Sequence, residues 1–378
     1  MEKRKFEKLN IETSLLGFGC MRFPVTKEGA IDEEQAEKML DYAISHGVNY
    51  IDTAYPYHQH TSEPFVGKVL NKYPRDSYYL ATKLPCWDLD SLEYAKDMFH
   101  NQLKRLDKQY FDFYLLHAMN KNTWKKVRDL GIIEYLDSLK KEGKIRFLGF
   151  SFHDDYEVFE EILSYYPWDF CQIQLNYMDT EEQAGMKGYE LTKQLGIPLI
   201  IMEPVKGGSL SVLPNDISSI FKEIHPNKSI SSWALRYVGS LPNVKVILSG
   251  MSTMEQVKDN LDTFSHFEPL NEKEQQAVLQ VTTAIKSRLQ NGCTACQYCM
   301  PCPAGVHIPQ NFSIWNHYHM YGNRELTENK IKTSLPKEAR ATACIQCGKC
   351  ETVCPQKLSI REDLKRVAED LEHFFREK

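Results

Sequence analysis

Three short segments place side chains capable of concerted proton chemistry. Tyr50-Ile51-Asp52-Thr53-Ala54-Tyr55-Pro56-Tyr57 puts an acid at the end of a buried-strand pattern and a phenol on the loop beyond it. Tyr79-Leu80-Ala81-Thr82 delivers Lys83, and Phe113-Tyr114-Leu115-Leu116 delivers His117. A tyrosine titrates near ~10 and is a poor acid at neutral pH. An ammonium beside it stabilises the phenolate, and a carboxylate can hold that lysine in place. A histidine can orient a carbonyl or share in proton delivery. Asp52, Tyr57, Lys83 and His117 therefore suit protonation of a carbonyl oxygen while hydride arrives at its carbon. Any one of them alone would pass as a surface or satisfied interior group; their arrival at successive strand ends carries the reading.

A second chemistry is written in cysteines. Of the 11, Cys20, Cys86 and Cys171 are scattered and read as buried small hydrophobes. The other eight fall in two runs. Cys344-x2-Cys347-x2-Cys350-x3-Cys354-Pro355 has the bacterial ferredoxin spacing, in which the fourth cysteine ligates the other cluster. Cys293-x2-Cys296-x2-Cys299-x2-Cys302-Pro303 is one residue shorter in its last gap. Crossed fourth ligands would give two [4Fe–4S] clusters, one on Cys293, Cys296, Cys299 and Cys354, the other on Cys344, Cys347, Cys350 and Cys302. The shortened gap keeps a single cluster open. Zinc prefers paired Cys-x2-Cys halves, and disulfides do not suit a reducing compartment. His307, His317 and His319 lie between the runs, but cysteine accounts for every ligand.

The positioning elements follow from periodicity. A hairpin is expected over 6–13 and a glycine-punctuated strand over 15–21. Asp32 with Gln35 makes a capping box, and Ala36, Met39, Leu40, Ala43 and Ile44 mark one helical face, closed by Gly47. Strands ending at 52, 82, 116, 150, 175, 202 and 248 follow, each with a helix after it. Most are continuous apolar runs, as in parallel sheets covered by helices on both faces. Eight such units in about 260 residues predict an α/β, (β/α)8 TIM barrel. A doubly wound open sheet is the runner-up, but Gly17-Phe18-Gly19-Cys20-Met21-Arg22 lacks the third glycine and following helix of its fingerprint. The expected organisation is a barrel over 1–270, a connecting helix over 271–290 and a small, mostly helical, ferredoxin-like domain over 291–378. In the last, Ser359 with Glu362 reads as a capping box ahead of the stripe Ile360, Leu364, Val367 and Leu371.

Asp52-Thr53-Ala54-x-x-Tyr57, Thr82-Lys83 and Leu115-Leu116-His117 resemble the tetrad segments of the aldo-keto reductases, and the likeness runs through most of residues 5–265. With the cysteine runs, the chain resembles the iron–sulfur-containing branch of that family. The resemblance implies Tyr57 as general acid, Lys83 as its pKa-lowering neighbour, Asp52 as the partner of Lys83, and His117 as the residue orienting the carbonyl. It also implies NADP or NAD extended across the barrel mouth. Ser151 corresponds to a family serine, although Phe152 replaces the asparagine that follows. Gln172 and Asn176 resemble the carboxamide-binding motif. Met202-Glu203-Pro204-Val205-Lys206-Gly207-Gly208 resembles the pyrophosphate loop, with Met202 where a stacking tyrosine is common. Ser249, Gly250, Met251, Glu255, Gln256 and Asn260 fall in the adenosine segment. Gln256 stands where an arginine commonly reads the 2′-phosphate, and lacks that residue's charge and fork.

Composition limits the partners. A net charge of −5 argues against a nucleic-acid footprint, and no apolar run approaches a membrane span. The N-terminus Met1-Glu2-Lys3-Arg4-Lys5-Phe6 lacks a signal peptide's apolar core, so a cytoplasmic protein is expected. The expected function is an oxidoreductase acting on a small carbonyl or alcohol, with clusters that exchange electrons with a redox partner, report redox state or hold structure. The alternative is an electron-transfer or redox-sensing module whose barrel binds a nucleotide with little turnover. Hydride carries two electrons and a cluster one, and no flavin site is evident to convert between them. Trp87 is expected either to wall the substrate pocket or to pack on the barrel rim. The loops over 118–130 and 203–228 would set the substrate.

Overall fold

The computed structural model describes residues 1–375, so the last three residues of the expected 291–378 domain lie outside the described residues. The strands are β1 (Lys3–Phe6), β2 (Ile11–Ser14), β3 (Leu16–Gly19), β4 (Tyr50–Asp52), β5 (Tyr79–Pro85), β6 (Phe111–Met119), β7 (Ile145–Phe152), β8 (Phe170–Gln174), β9 (Leu199–Met202) and β10 (Val244–Gly250). The helices through the barrel are α1 (Glu33–Ser45), α2 (Ser62–Leu70), α3 (Leu92–Leu106), α4 (Lys121–Asp129), α5 (Ile132–Lys141), α6 (Tyr156–Tyr165), α7 (Gly185–Leu195), α8 (Asn215–Lys222), α9 (Ile230–Gly239) and α10 (Met254–Ser265). Beyond it come α11 (Glu272–Lys286), α12 (Ile308–Tyr321), α13 (Arg324–Ser334), α14 (Lys349–Val353), α15 (Ile360–Asp370) and α16 (Glu372–Phe375).

Strands β3 to β10 close into a parallel barrel in chain order, β10 pairing back onto β3. The (β/α)8 expectation holds, and closure rules out the open sheet. The antiparallel β1–β2 hairpin sends Phe6 and Ile11 into a core shared with Tyr50, Phe113, Phe147, Phe170, Ile200 and Val246. These residues belong to the early parts of the barrel strands, so the apolar plug fills one end and leaves the strands' C-terminal ends for chemistry. Asp32 caps α1 as expected, its Oδ1 accepting the Gln35 N–H at 3.1 Å, but the Gln35 side chain returns to the carboxylate rather than to the backbone.

The chain divides into two compact units that do not follow chain order. Met1–Pro204 and Ser232–Leu270 make one; Val205–Ser231 joins residues 271 onward to make the other. Within the second unit, α8 and α11 pack together. His225 Nε2 meets Glu274 Oε1 at 2.8 Å, and Arg288 pairs with Asp216. Residues 305–343, where no strand is expected, are mainly helical. Phe312, Ile314, Trp315, Ile331, Leu335, Ile360, Leu364, Val367 and Leu371 build this unit's core. The expected capping box at Ser359 does not form: its side chain makes no capping bond, and Glu351 accepts the Arg361 N–H at 2.9 Å.

Candidate active site and cysteine-lined cavities

The register of the barrel explains how residues distant in sequence meet. Asp52 of β4 lies opposite Ala81 of β5, and Pro85 of β5 opposite His117 of β6. Lys83 Nζ donates to Asp52 Oδ1 at 2.7 Å, to the Thr53 carbonyl at 2.9 Å and to the Tyr57 hydroxyl at 3.3 Å. Lys83 is 1% exposed and Asp52 2%. Burial alone would lower the lysine's pKa, but Asp52 and Tyr57 hold it above the ordinary value, so it stays an ammonium. Burial pushes the Asp52 carboxyl up while that ammonium pulls it back.

Tyr57 departs from the expectation of a lowered pKa. Desolvation raises its phenol above 10, and this outweighs the downward pull of Lys83. The lysine's effect has the expected sign; it is the smaller of the two. His117 is held well below its ordinary value by burial, by the Lys83 charge and by His153, so it is a neutral imidazole with its Nδ1 unpartnered. Its ring stands edge-on to Tyr57 at 6.1 Å, and Trp87 lies 5.0 Å away, walling this side of the site. The β6–β7 ladder shifts register between Leu116 and Met119, and Ala118 takes a φ of 53°. Such irregularities re-aim side chains. Here the Ser151 hydroxyl accepts the Ala118 N–H at 2.8 Å and so fixes the turn that presents His117.

Sequence reasoning missed the support beneath Lys83. Glu63, fully buried on α2, accepts from Thr82 Oγ1 and Gln102 Nε2 at 2.7 Å and from Arg105 Nε at 2.9 Å. Gln102 also donates to the Lys83 carbonyl at 3.0 Å. A lone acid on an amphipathic helix gives no sign of this; only burial reveals it.

The expected nucleotide contacts lie in both units. In the first, Gln172 is 2% exposed, with its Nε2 on Met202 Sδ at 3.3 Å and its Oε1 buried without a partner. Such an orphan acceptor calls for an outside donor, and a carboxamide N–H fits. Asn176 already holds its own turn, accepting from the Met178 and Asp179 N–H groups and donating to Asp179 and the Glu203 carbonyl. Ser249 Oγ accepts from Asn260 at 2.9 Å, and Met251 is buried. A Cβ on Gly250 would come within 2.7 Å of the Arg22 side chain. Gln256 Oε1 takes the Ser252 N–H at 2.7 Å, and Glu255 sits in the first turn of α10. In the second unit, Val205 leads into Lys206, Gly207 and Gly208, with φ of 51°, 60° and 94°. A Cβ at Gly207 would meet nothing within 4 Å. Turns of this kind turn backbone N–H groups toward an anion.

None of the eleven cysteines is joined in a disulfide. Cys20, Cys86 and Cys171 are buried, and burial raises each thiol's pKa, to about 12 for Cys86. The remaining eight line two cavities. One, of about 100 Å³, is bordered by Cys299, Cys302, Cys344, Cys347 and Cys350; the smaller is bordered by Cys293, Cys296, Cys299 and Cys354. Cys302 thus faces the later run and Cys354 the earlier one, and each set offers the thiolate donors that an iron–sulfur cluster takes. Among the described residues, no group of three or more His, Cys, Asp or Glu converges closely enough to hold a single metal ion. No helix of the described residues is long and apolar enough to cross a membrane.

The fold is an eight-stranded parallel barrel that brings Asp52, Tyr57, Lys83 and His117 together. The chain belongs to the aldo/keto reductase family, whose model matches residues 15–282. Residues 292–358 match the 4Fe-4S dicluster domain. The chain is 27% identical over 292 residues to the uncharacterized oxidoreductase YqkF of Bacillus subtilis, covering 69% of this chain and 90% of that protein. It is 25% identical over 328 residues to the L-galactose dehydrogenase of Arabidopsis thaliana, covering 81% of this chain and 98% of that one. Among solved structures, the holo form of aldo-keto reductase AKR11C1 from Bacillus halodurans superposes with a TM-score of 0.63 at 28% identity, over 74% of this chain and 96% of that one.

Proposed function

We propose that the protein is an NAD(P)H-dependent carbonyl reductase with Tyr57 as general acid, and that it carries two [4Fe–4S] clusters on crossed cysteine sets. One observation carries the reading: a single buried ammonium, Lys83, is bonded at once to Asp52 and to the Tyr57 hydroxyl. The nicotinamide, when bound, supplies hydride to the carbonyl carbon. Tyr57 gives its proton to the carbonyl oxygen; as the C=O π bond breaks, a C–H and an O–H bond form and an alcohol results. The phenolate left behind is stabilised by Lys83, whose charge Asp52 balances. His117, neutral, orients the carbonyl by one hydrogen bond.

Ser151, Gln172 and Asn176 serve the carboxamide end; Val205, Gly207 and Gly208 the pyrophosphate; and Ser249, Gly250, Met251, Glu255, Gln256 and Asn260 the adenosine. Gln256 supplies no cation for a 2′-phosphate, so NADH and NADPH are both substrates to compare. Functionally the chain divides into a barrel over 1–270, a connecting helix over 271–290 and a cluster domain over 291–378. The clusters would hold the thiols together and exchange single electrons with a redox partner protein in a reducing cytoplasm.

Tyr57→Phe tests the acid. Carbonyl reduction is expected to fall by roughly 10²–10⁴-fold with the clusters' visible absorbance unchanged. Unchanged turnover would overturn the reading and leave the electron-transfer alternative standing.

A further inference from the structure

Helix α12 sits between two features that the proposed function treats separately. Its N-terminal residue Ile308 lines both cysteine cavities, and Pro309 and Phe312 line the smaller one. Near its other end, two consecutive side chains reach in different directions. Asn316 Oδ1 accepts the N–H groups of Gln290 and Asn291 at 3.0 Å, and its Nδ2 donates to the Asn291 carbonyl at 2.8 Å. Asn291 in turn accepts the Cys293 N–H at 2.9 Å. The chain entering the first cysteine run is therefore held by Asn316.

The next residue, His317, bonds through Nε2 to Ser209 Oγ at 2.9 Å, both side chains being buried. Ser209 closes the left-handed turn of Lys206, Gly207 and Gly208, its N–H bonding to the Lys206 carbonyl at 3.1 Å. Gly322, just past α12, packs so closely on Pro214 that a Cβ there would come within 3.0 Å of its ring. These segments all belong to the second compact unit. Burial and the nearby charges of Lys330 and Lys206 lower the His317 pKa to about 4, so the imidazole is neutral and the bond persists at neutral pH. Its Nδ1 is buried without a partner. Burying an unpaired polar atom is costly, which is a reason to look for a role for this residue.

We propose that His317 is a positioning residue for the nucleotide, and that α12 couples cluster occupancy to nucleotide affinity through the Asn316 and His317 contacts. This rests on the reading that the Val205–Gly208 loop holds the pyrophosphate. With the cysteine run anchored, α12 keeps Ser209 in place and the loop formed; with the cluster gone, the anchoring of Asn291 and Asn316 relaxes and the loop loses its brace. Coupling of this kind is reciprocal, so bound nucleotide also slows loss of iron.

The test is the Kd for NADH and NADPH, read by fluorescence titration on the full chain with and without its clusters. Removal of the clusters is expected to weaken binding on the order of tenfold, a usual size for coupling between sites. His317→Ala should weaken binding similarly with the clusters intact, and then respond little to their removal. His317→Gln, which keeps a hydrogen bond to Ser209, should restore most of the affinity, and Ser209→Ala provides the same cut from the other side should His317→Ala not fold. Equal Kd values with and without clusters in the unaltered protein would overturn the coupling. An unchanged Kd in folded His317→Ala, or in Ser209→Ala, would overturn the positioning role. Gly208→Val separates this from the underlying reading: if it binds nucleotide as the unaltered protein does, the loop is not the nucleotide's grip; if it alone weakens binding, the loop assignment stands and the α12 inference falls.

Discussion

In the barrel, Asp52, Tyr57, Lys83 and His117 come from three successive strand ends and are already bonded or packed against one another. In the second unit, the thiols come from two tight runs and line cavities. The first arrangement is pre-organised: its central charge is paired before any ligand arrives, so binding need not supply that order. The second depends on what fills it, because thiolate ligands and their cluster form one bonded object. Damage to the barrel site should therefore appear as lost stability or turnover, and damage to the cavities as lost iron.

The largest effect should come from Lys83→Met. Removing one member of a buried ion pair leaves Asp52 uncompensated, a loss of about 3–5 kcal/mol in urea unfolding. Adding Asp52→Asn should recover most of that stability and none of the activity. Cys350→Ser should instead lower the iron content and leave the barrel's urea transition where it was. If Lys83→Met unfolds no more easily than the unaltered protein, the pre-organised half of the contrast fails.

Glu63→Gln should come next. Its carboxylate accepts from Thr82, Gln102 and Arg105, and losing charge-assisted acceptance in a buried network costs about 1–3 kcal/mol. Because Gln102 also holds the Lys83 carbonyl, kcat should fall with the stability. A change in stability alone would restrict Glu63 to a structural part.

What could be read from sequence follows the same division. Each cysteine run is local, so spacing alone was enough to single out the eight cysteines that line the two cavities. The four candidate groups were legible because Asp52, Lys83 and His117 each follow an apolar run whose end is sharp, with Tyr57 on the loop beyond Asp52, and the helix ends at Gly47, Gly143 and Gly196 all show positive φ. Helices α4 and α8 went unseen, since Trp124 with Val127, and Ile217 with Phe221, offer too few apolar repeats to mark a face. Helix α12 hides for the opposite reason: Ile308, Phe312, Trp315, His317 and Tyr321 are buried together, and no polar face separates out. Glu63 and the Ser209–His317 bond join residues far apart in the chain, where periodicity carries no information.

A smaller effect concerns proton supply. With the Tyr57 pKa above 10 and the His117 pKa well below 6.5, neither group changes charge across neutral pH. Reductive kcat should be flat there and fall only as pH rises through the phenol's pKa, when the proton to be donated is gone. Alcohol oxidation, which needs the phenolate, should rise over the same range. A step in kcat near pH 6.5 would show that His117 titrates as an open imidazole and would contradict its enclosure.

The smallest expected change lies on the other side of the contrast and tests whether the cavities are tuned as well as filled. Gln346 Nε2 lies 3.4 Å from Cys344 Sγ, and the same amide donates to the Arg361 carbonyl at 3.3 Å, which fixes its direction. Hydrogen bonds to ligand sulfurs are among the terms that set a cluster's potential. A donor offsets the extra negative charge of the reduced state, so it raises the potential. Gln346→Leu removes that donor while keeping a side chain of similar length. The cluster proposed on Cys302, Cys344, Cys347 and Cys350 should then become harder to reduce in a spectroscopic redox titration, while the other proposed cluster keeps its potential. Movement of both potentials together would mean that the two cavities respond as one electrostatic site, and no movement would mean that the amide serves the Arg361 turn alone.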